Sequence, residues 1–213
     1  MCKDGRMIDL GNPEVAFALR VTRQASLLAR VVEHEMITPA LAKQDRSPVT
    51  VADYAVQALV GHAINQVFPK DPLVAEEDSR TLQTEEGRPT LDQVVHFLNR
   101  SFPSLKAKDI CTWIDRGTGK CEQRFWTLDP IDGTKGFLRG DQYVVALAMV
   151  VNGKVQIGTL GCPKLGKGRL VIAVRGQGCW CTSLNSGSHF RSLRVSNCDD
   201  PSLLQMVRSF EPE

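Results

Sequence analysis

A chain of 213 residues, 42% of them apolar, can bury one sizeable core, so it reads as globular and not as a disordered or low-complexity chain. Its net charge of +2 arises from basic and acidic residues interspersed along the chain, which gives neither a nucleic-acid-binding stripe nor a membrane-surface helix. The partners expected are therefore small molecules, with no nucleic acid and no membrane, and the chain is expected to be a monomer.

Seven cysteines, Cys2, Cys111, Cys121, Cys162, Cys179, Cys181 and Cys198, are odd in number and scattered, without the Cys-x-x-Cys spacing a zinc site would use. They read as reduced, mostly buried thiols, which argues for an intracellular chain: cytoplasmic, or organellar if the native N-terminus lies upstream of Met1. Met1 to Leu10 has no apolar core of a secretory signal, and no later run is long enough to span a bilayer.

Residues 1–12 are expected to form a tail. Asn12-Pro13-Glu14 is a helix start with Asn12 as cap, and Phe17, Val21, Leu28, Val31 and Val32 recur at near-helical spacing to about Met36, leaving Arg20, Arg23 and Glu33 for the wet side. The polar stretch Lys43 to Pro48 reads as a loop. A second helix is predicted from Thr50 to about Phe68, stopped by Pro69, with Tyr54, Ala55, Leu59, Ala63, Val67 and Phe68 inward. Thr50-x-x-Asp53 is either a capping box or the start of a site. Pro72 to Ala75 is a short strand candidate ending in Glu76-Glu77-Asp78, which on charge pattern alone is solvated surface.

From Ser79 to Gln123 the pattern predicts one helix, Thr90 to Arg100, with His96 on its face, followed by polar loops. After residue 140 come an apolar run from Tyr143 to Val151, an Asn152-Gly153 hairpin turn, a return from Val155 to Leu160, a hairpin from Arg169 through Cys181, and a strand from Phe190 to Val195. The fold class is therefore α+β, a mostly antiparallel sheet covered on one face by two long N-terminal helices.

The chain between Arg124 and Phe137 carries the most chemistry. An apolar, β-prone run is expected to close at Asp129; Pro130 cannot donate to a ladder, and Asp132 returns beside Asp129 as the chain turns. Two such carboxylates repel unless a cation lies between them, and hard oxygen ligands favour Mg²⁺ over zinc. Gly133 and Thr134 add backbone N–H groups and a hydroxyl that can hold a phosphate oxygen. Asp-Pro and Asp-Gly are also ordinary turn dipeptides, so the motif alone leaves a plain turn open. With Asp53 and Glu76 at two further element ends, the set suits metal-assisted phosphate ester hydrolysis. An aspartyl-phosphate phosphatase of the haloacid dehalogenase type places its acids two apart, whereas Asp129 and Asp132 are three apart.

The ordered set Ser47-Pro48-Val49-Thr50-x-x-Asp53, Ala75-Glu76-Glu77-Asp78-Ser79 and Trp126-x-Leu128-Asp129-Pro130-Ile131-Asp132-Gly133-Thr134-Lys135-Gly136-Phe137-Leu138-Arg139-Gly140 resembles the lithium-sensitive, Mg²⁺-dependent phosphatases of the inositol monophosphatase superfamily. Within it, the Lys135 to Gly140 continuation and Gly161-Cys162-Pro163 are most similar to the 3′(2′),5′-bisphosphate nucleotidases of sulfur metabolism. The resemblance runs from about Val15 to Glu211. It implies Glu76, Asp129, Asp132 and the Ile131 carbonyl as metal ligands, Asp53 and Thr134 as activators of the attacking water, and Gly133 with Thr134 as phosphate receivers. The implied substrate is the nucleotide 3′-phosphoadenosine 5′-phosphate, cleaved to AMP and phosphate, with 3′-phosphoadenosine 5′-phosphosulfate as a second substrate and inositol phosphate as the alternative. Residues 13–198 would be the catalytic first domain and 199–213 the start of a crossing into a second α/β domain. The Trp-Asp-His motif of that domain is missing from this sequence. Weakened activity and an exposed apolar seam are the expected consequences, so a catalytically weak binding or regulatory fragment is the remaining alternative.

Overall fold

The computed structural model describes residues 7–36, 48–198 and 200–203. The polar stretch before Pro48, and most of the expected crossing at 199–213, lie outside them. Helix α1 (Pro13–Met36) starts as the sequence implies, with the Val15 N–H donating to Asn12 Oδ1 at 2.9 Å. Helix α2 (Pro48–Val67) opens two residues earlier than predicted, so Thr50 falls inside its first turn and is not the cap of a capping box. A two-residue strand β1 (Leu73–Val74) follows, then α3 (Arg88–Asn99) and α4 (Ala107–Asp115).

Helix α4 corrects the expectation of loops after residue 100. The Lys106 N–H donates to Asp109 Oδ2 at 3.1 Å to start it, and Ile110, Cys111 and Ile114 form its buried stripe. The apolar positions are few enough to read as loop when the polar residues are counted first.

Strand β2 (Arg124–Asp132), the short α5 (Thr134–Arg139), β3 (Val144–Val151), β4 (Lys154–Cys162), β5 (Arg169–Val174), β6 (Gly178–Ser183) and β7 (Arg191–Leu193) complete the fold. The seven strands lie in sheet order β1 to β7; β1 pairs parallel with β2 and every other pair is antiparallel. This is the mostly antiparallel α+β sheet the sequence pattern implies. Asn152 and Gly153, at φ 51° and 68°, make the β3–β4 turn, a left-handed pair that matches the twist of the flanking strands.

Helices α1 and α2 pack together on one face, α1 over β3 to β5 and α2 over β2, with α3 and α4 packed behind α2. Trp126, fully buried, meets the rings of Phe17 at 5.2 Å and Phe68 at 5.6 Å, and its Nε1–H donates to Asp71 Oδ2 at 3.1 Å. Arg124 ties the same edge together, donating to Asp71 at 2.8 Å and Glu14 at 3.1 Å. Three helix positions depart from the expected pattern. Glu33 is buried, not wet, because it pairs with Lys164 and accepts the Tyr143 hydroxyl at 3.2 Å. Val31 and Val67 are exposed. Among the described residues no helix is long and apolar enough to cross a membrane, and the six described cysteines form no disulfide.

Gly161 sets how closely α1 approaches β4. A Cβ there would sit 1.8 Å from Ser26 Oγ and 2.9 Å from Ser26 Cβ, while Ser26 itself donates to the Thr22 carbonyl at 2.7 Å and Thr22 shares a 2.7 Å hydroxyl contact with Thr159. Gly161→Ala should therefore lower unfolding stability by about 1–3 kcal/mol, the usual cost of overpacking, read as a lower urea midpoint at unchanged slope. Adding Ser26→Ala should recover part of that loss.

Candidate functional site

The functional side chains come from three elements that the sheet edge draws together. Asp53 lies in the early part of α2, Glu76 follows β1, and Asp129 and Asp132 belong to β2. The strand does not close at Asp129, as the sequence pattern suggests, but runs on to Asp132 through a register slip. Asp129 pairs with Ala146 and Asp132 with Val144, so three steps on β2 match two on β3. Pro130 and Ile131 are left without register partners, which tolerates a residue lacking an N–H and brings the two acids to the same edge. Such a bulge is invisible to period-two reading.

Beyond it, Gly133 takes φ 94° to turn the strand into α5, and the Phe137 N–H closes the first helical bond to the Gly133 carbonyl at 2.9 Å. Gly136 packs against the backbone of the chain returning from α5, since a Cβ there would fall 1.9 Å from the Gln142 carbonyl oxygen. Phe137 stacks edge-on against Tyr143 at 4.8 Å, anchoring α5 in the core while Thr134 stays exposed at its start.

Electrostatics show how near the acids lie. Burial, then the charges of Glu77, Glu76 and Asp129, push the Asp53 carboxyl up to about 8. Burial, then Glu76 and Asp132, also raise Asp129, against the Ile131 N–H that its carboxylate accepts. Glu77 is raised too, chiefly by burial, although Tyr54 donates to it. Glu76 and Asp132 remain exposed. Among the described residues no three His, Cys, Asp or Glu side chains are gathered at the spacing of a metal cage. The acids thus press on one another without closing around a point. An all-carboxylate set of hard oxygen donors, destabilised by mutual repulsion, fits a divalent cation such as Mg²⁺ in chemistry.

Gln57, one turn after Asp53 on α2, was not singled out by sequence reasoning. It is fully buried, its Nε2 donates to the carbonyls of Glu77 at 2.6 Å and Ile114 at 2.9 Å, and its Oε1 accepts the Glu77 N–H at 3.0 Å. Asp115 grips the same acidic loop from α4, accepting the Ser79 N–H at 2.8 Å and hydroxyl at 2.7 Å. The only available signal was an amide in an otherwise apolar helical stripe. On the face of the sheet away from α1, an apolar cleft of about 430 Å³ reaches Asp129 along Ala146, Ala148, Gly158, Leu160 and Ala173.

Two outcomes follow. With Asp53 held near 8 when folded and near the ordinary carboxylate value when unfolded, the folded chain carries the extra proton between those values. Stability must fall as pH rises through that window and carry no such penalty below it. In metal-free buffer Asp53→Asn should flatten this decline and melt at least about 2 °C above the parent at pH 9, the shift of ~1 kcal/mol in a chain this size. Gln57→Leu, by contrast, should cost about 3 kcal/mol in urea unfolding, because it strands two carbonyls and an N–H in the interior.

Residues 13–211 match the profile of the inositol monophosphatase family. The chain is 37% identical to 3′(2′),5′-bisphosphate nucleotidase 2 of Candida albicans over 93% of its length and 64% of that protein's. It is 35% identical to the 3′(2′),5′-bisphosphate nucleotidase of Dictyostelium discoideum over 91% of its length and 62% of that protein's. It therefore spans somewhat under two thirds of the curated relatives it matches. Among solved structures, Mycobacterium tuberculosis SuhB superposes with a TM-score of 0.57 at 21% identity, over 88% of this chain and 53% of that one. Thermotoga maritima IMPase TM1415 does so with 0.53 at 20% identity, over 86% and 54%. A bulged acidic strand beside a glycine-turned short helix, under two long helices and within a sequence matched almost end to end, makes this chain a member of the inositol monophosphatase family.

Proposed function

We propose that this chain is a Mg²⁺-dependent phosphomonoester hydrolase that removes the 3′-phosphate of 3′-phosphoadenosine 5′-phosphate, giving AMP and phosphate, with 3′-phosphoadenosine 5′-phosphosulfate as a second substrate. The observation that carries it is the mutual repulsion of Asp53, Glu76, Asp129 and Asp132 at one sheet edge beside Gly133 and Thr134. The nucleotide is favoured over inositol phosphate because the relatives that are 34–37% identical are named as bisphosphate nucleotidases.

In this reading Glu76, Asp129, Asp132 and the Ile131 carbonyl would hold the metal, which would supply neutralisation of phosphate charge and a lower pKa for water. Asp53, buried in the first turns of α2 beside these acids, takes the proton of the attacking water on a carboxylate oxygen as general base. The Thr134 hydroxyl orients the same water, and the Gly133–Thr134 backbone receives the phosphate. The ester P–O bond breaks as the new one forms, and the leaving oxygen takes a proton from solvent to become the ribose 3′-hydroxyl.

The test is phosphate release from 3′-phosphoadenosine 5′-phosphate by the purified chain with Mg²⁺, with lithium added, and beside inositol 1-phosphate and a version extended to the length of the relatives. Lithium-sensitive turnover that prefers the nucleotide is expected, lost on chelation and lowered about 10²–10⁴-fold by Asp53→Asn, the span of general-base removal. Asp129→Asn should abolish it while leaving cooperative melting. Full turnover in either variant overturns the assignment of these residues, and turnover by the extended version alone makes this chain a binding fragment.

A further inference from the structure

Glu33, near the end of α1, is a buried acid that the proposed chemistry leaves unused. Its side chain is 7% exposed, it pairs with Lys164 on the turn after β4, and its Oε2 accepts the Tyr143 hydroxyl at 3.2 Å. Burial, then the charge of Glu33, holds the Tyr143 phenol well above its ordinary range, so this hydroxyl stays a donor. Three segments far apart in sequence thus meet at one carboxylate.

Those segments enclose α5 and the turn before it. The Lys164 carbonyl accepts the Gln142 Nε2–H at 3.0 Å, so one residue holds both Glu33 and Gln142. Gln142 and Tyr143 in turn seat Gly133: a Cβ there would stand 3.2 Å from the Gln142 carbonyl oxygen and 3.4 Å from Tyr143 Cα. At the far end of α5, Gly140 takes φ 72°, and a Cβ there would stand 3.6 Å from Glu33 Oε1. The Tyr143 ring meets Phe137 between the two. Both ends of α5 therefore rest on groups that Glu33 and Lys164 lock. Stability alone does not call for an ion pair here, because well-packed apolar residues of similar volume are often as stable. A satisfied buried polar network supplies instead a single geometry.

We propose that Glu33 and Lys164 are positioning residues: through Tyr143 and Gln142 they fix the left-handed turn at Gly133, and with it the Gly133–Thr134 backbone and the Thr134 hydroxyl. This role rests on the reading of that turn as the phosphate seat. Neither residue is catalytic. They hold the receiving groups in place before the phosphate arrives, so that binding does not have to order them.

The experiment uses the full chain with Mg²⁺ and measures amide hydrogen exchange across α5 and the affinity for inorganic phosphate. The parent is compared with Glu33→Gln, Lys164→Gln, the two combined, and Glu35→Gln. The last breaks another ion pair of α1, to Arg100 at 2.6 Å, and serves as the control. Glu33→Gln keeps an acceptor for Tyr143 and removes only the charge. Each single variant should speed exchange of the Phe137 and Gly140 amides, which donate to the Gly133 and Phe137 carbonyls at 2.9 and 3.0 Å, with β4 and β5 unchanged. Each should also weaken phosphate about 2- to 30-fold, the span for packed residues that act on a site without touching its ligand. The combined variant, an amide pair able to hydrogen-bond, should recover part of both losses, and Glu35→Gln should match the parent. In turnover the loss should fall on KM more than on kcat. Unaltered α5 exchange, or faster α5 exchange with unaltered phosphate affinity, overturns the role. Exchange quickened in β4 and β5 as well assigns the pair to general stability and also overturns it. A parent that binds no phosphate overturns the phosphate seat itself, whereas parent binding that the variants leave intact overturns the positioning role alone.

Discussion

The arrangement of the acids depends on one buried amide. Gln57 satisfies a carbonyl and an N–H of the acidic loop and a carbonyl of α4 at once, so α2, the segment after β1 and α4 cannot shift independently. Gly117 belongs to the same constraint, since a Cβ there would meet Gln57 Nε2 at 2.4 Å. Because Asp53 lies one turn away on the same helical face, the hydrogen bonds that fix Gln57 also fix how far Asp53 stands from Glu76 and Glu77. Rigidity of the scaffold is thus converted into a set distance between like charges.

That distance carries an electrostatic cost. Asp53, Asp129 and Glu77 all bind protons more tightly than free carboxylates, with burial as the first cause each time. A fold that buries acids beside one another sacrifices stability in exchange for affinity toward a positive charge. The rest of the core compensates through dense apolar contact, above all the Phe17, Phe68 and Trp126 cluster and the close seat of α1 on β4 at Gly161.

Much of this was legible from residues alone, where short-range rules suffice. Asn12-Pro13 announced α1, Asn152-Gly153 the central hairpin, and the Trp126 to Gly140 stretch the acidic strand and its glycine turn. What stayed hidden depends on partners distant in sequence. Glu33 reads as wet until Lys164 and Tyr143 arrive, Gln57 reads as incidental until Glu77 and Ile114 do, and the bulge at Asp129 exists only in register with β3. Helix α4 was missed because a short helix with three buried positions carries little periodic signal.

The sheet begins in a strand of two residues and ends in one of three. Strands β3 to β5 are paired with a neighbour on both sides, whereas β2 meets β1 only at Trp126 and Thr127, so its C-terminal half is an open edge. That open stretch carries Asp129, Pro130 and Asp132, whose charges and missing N–H discourage a second strand from adding there, so the residues placed for chemistry also guard the edge against cross-strand growth.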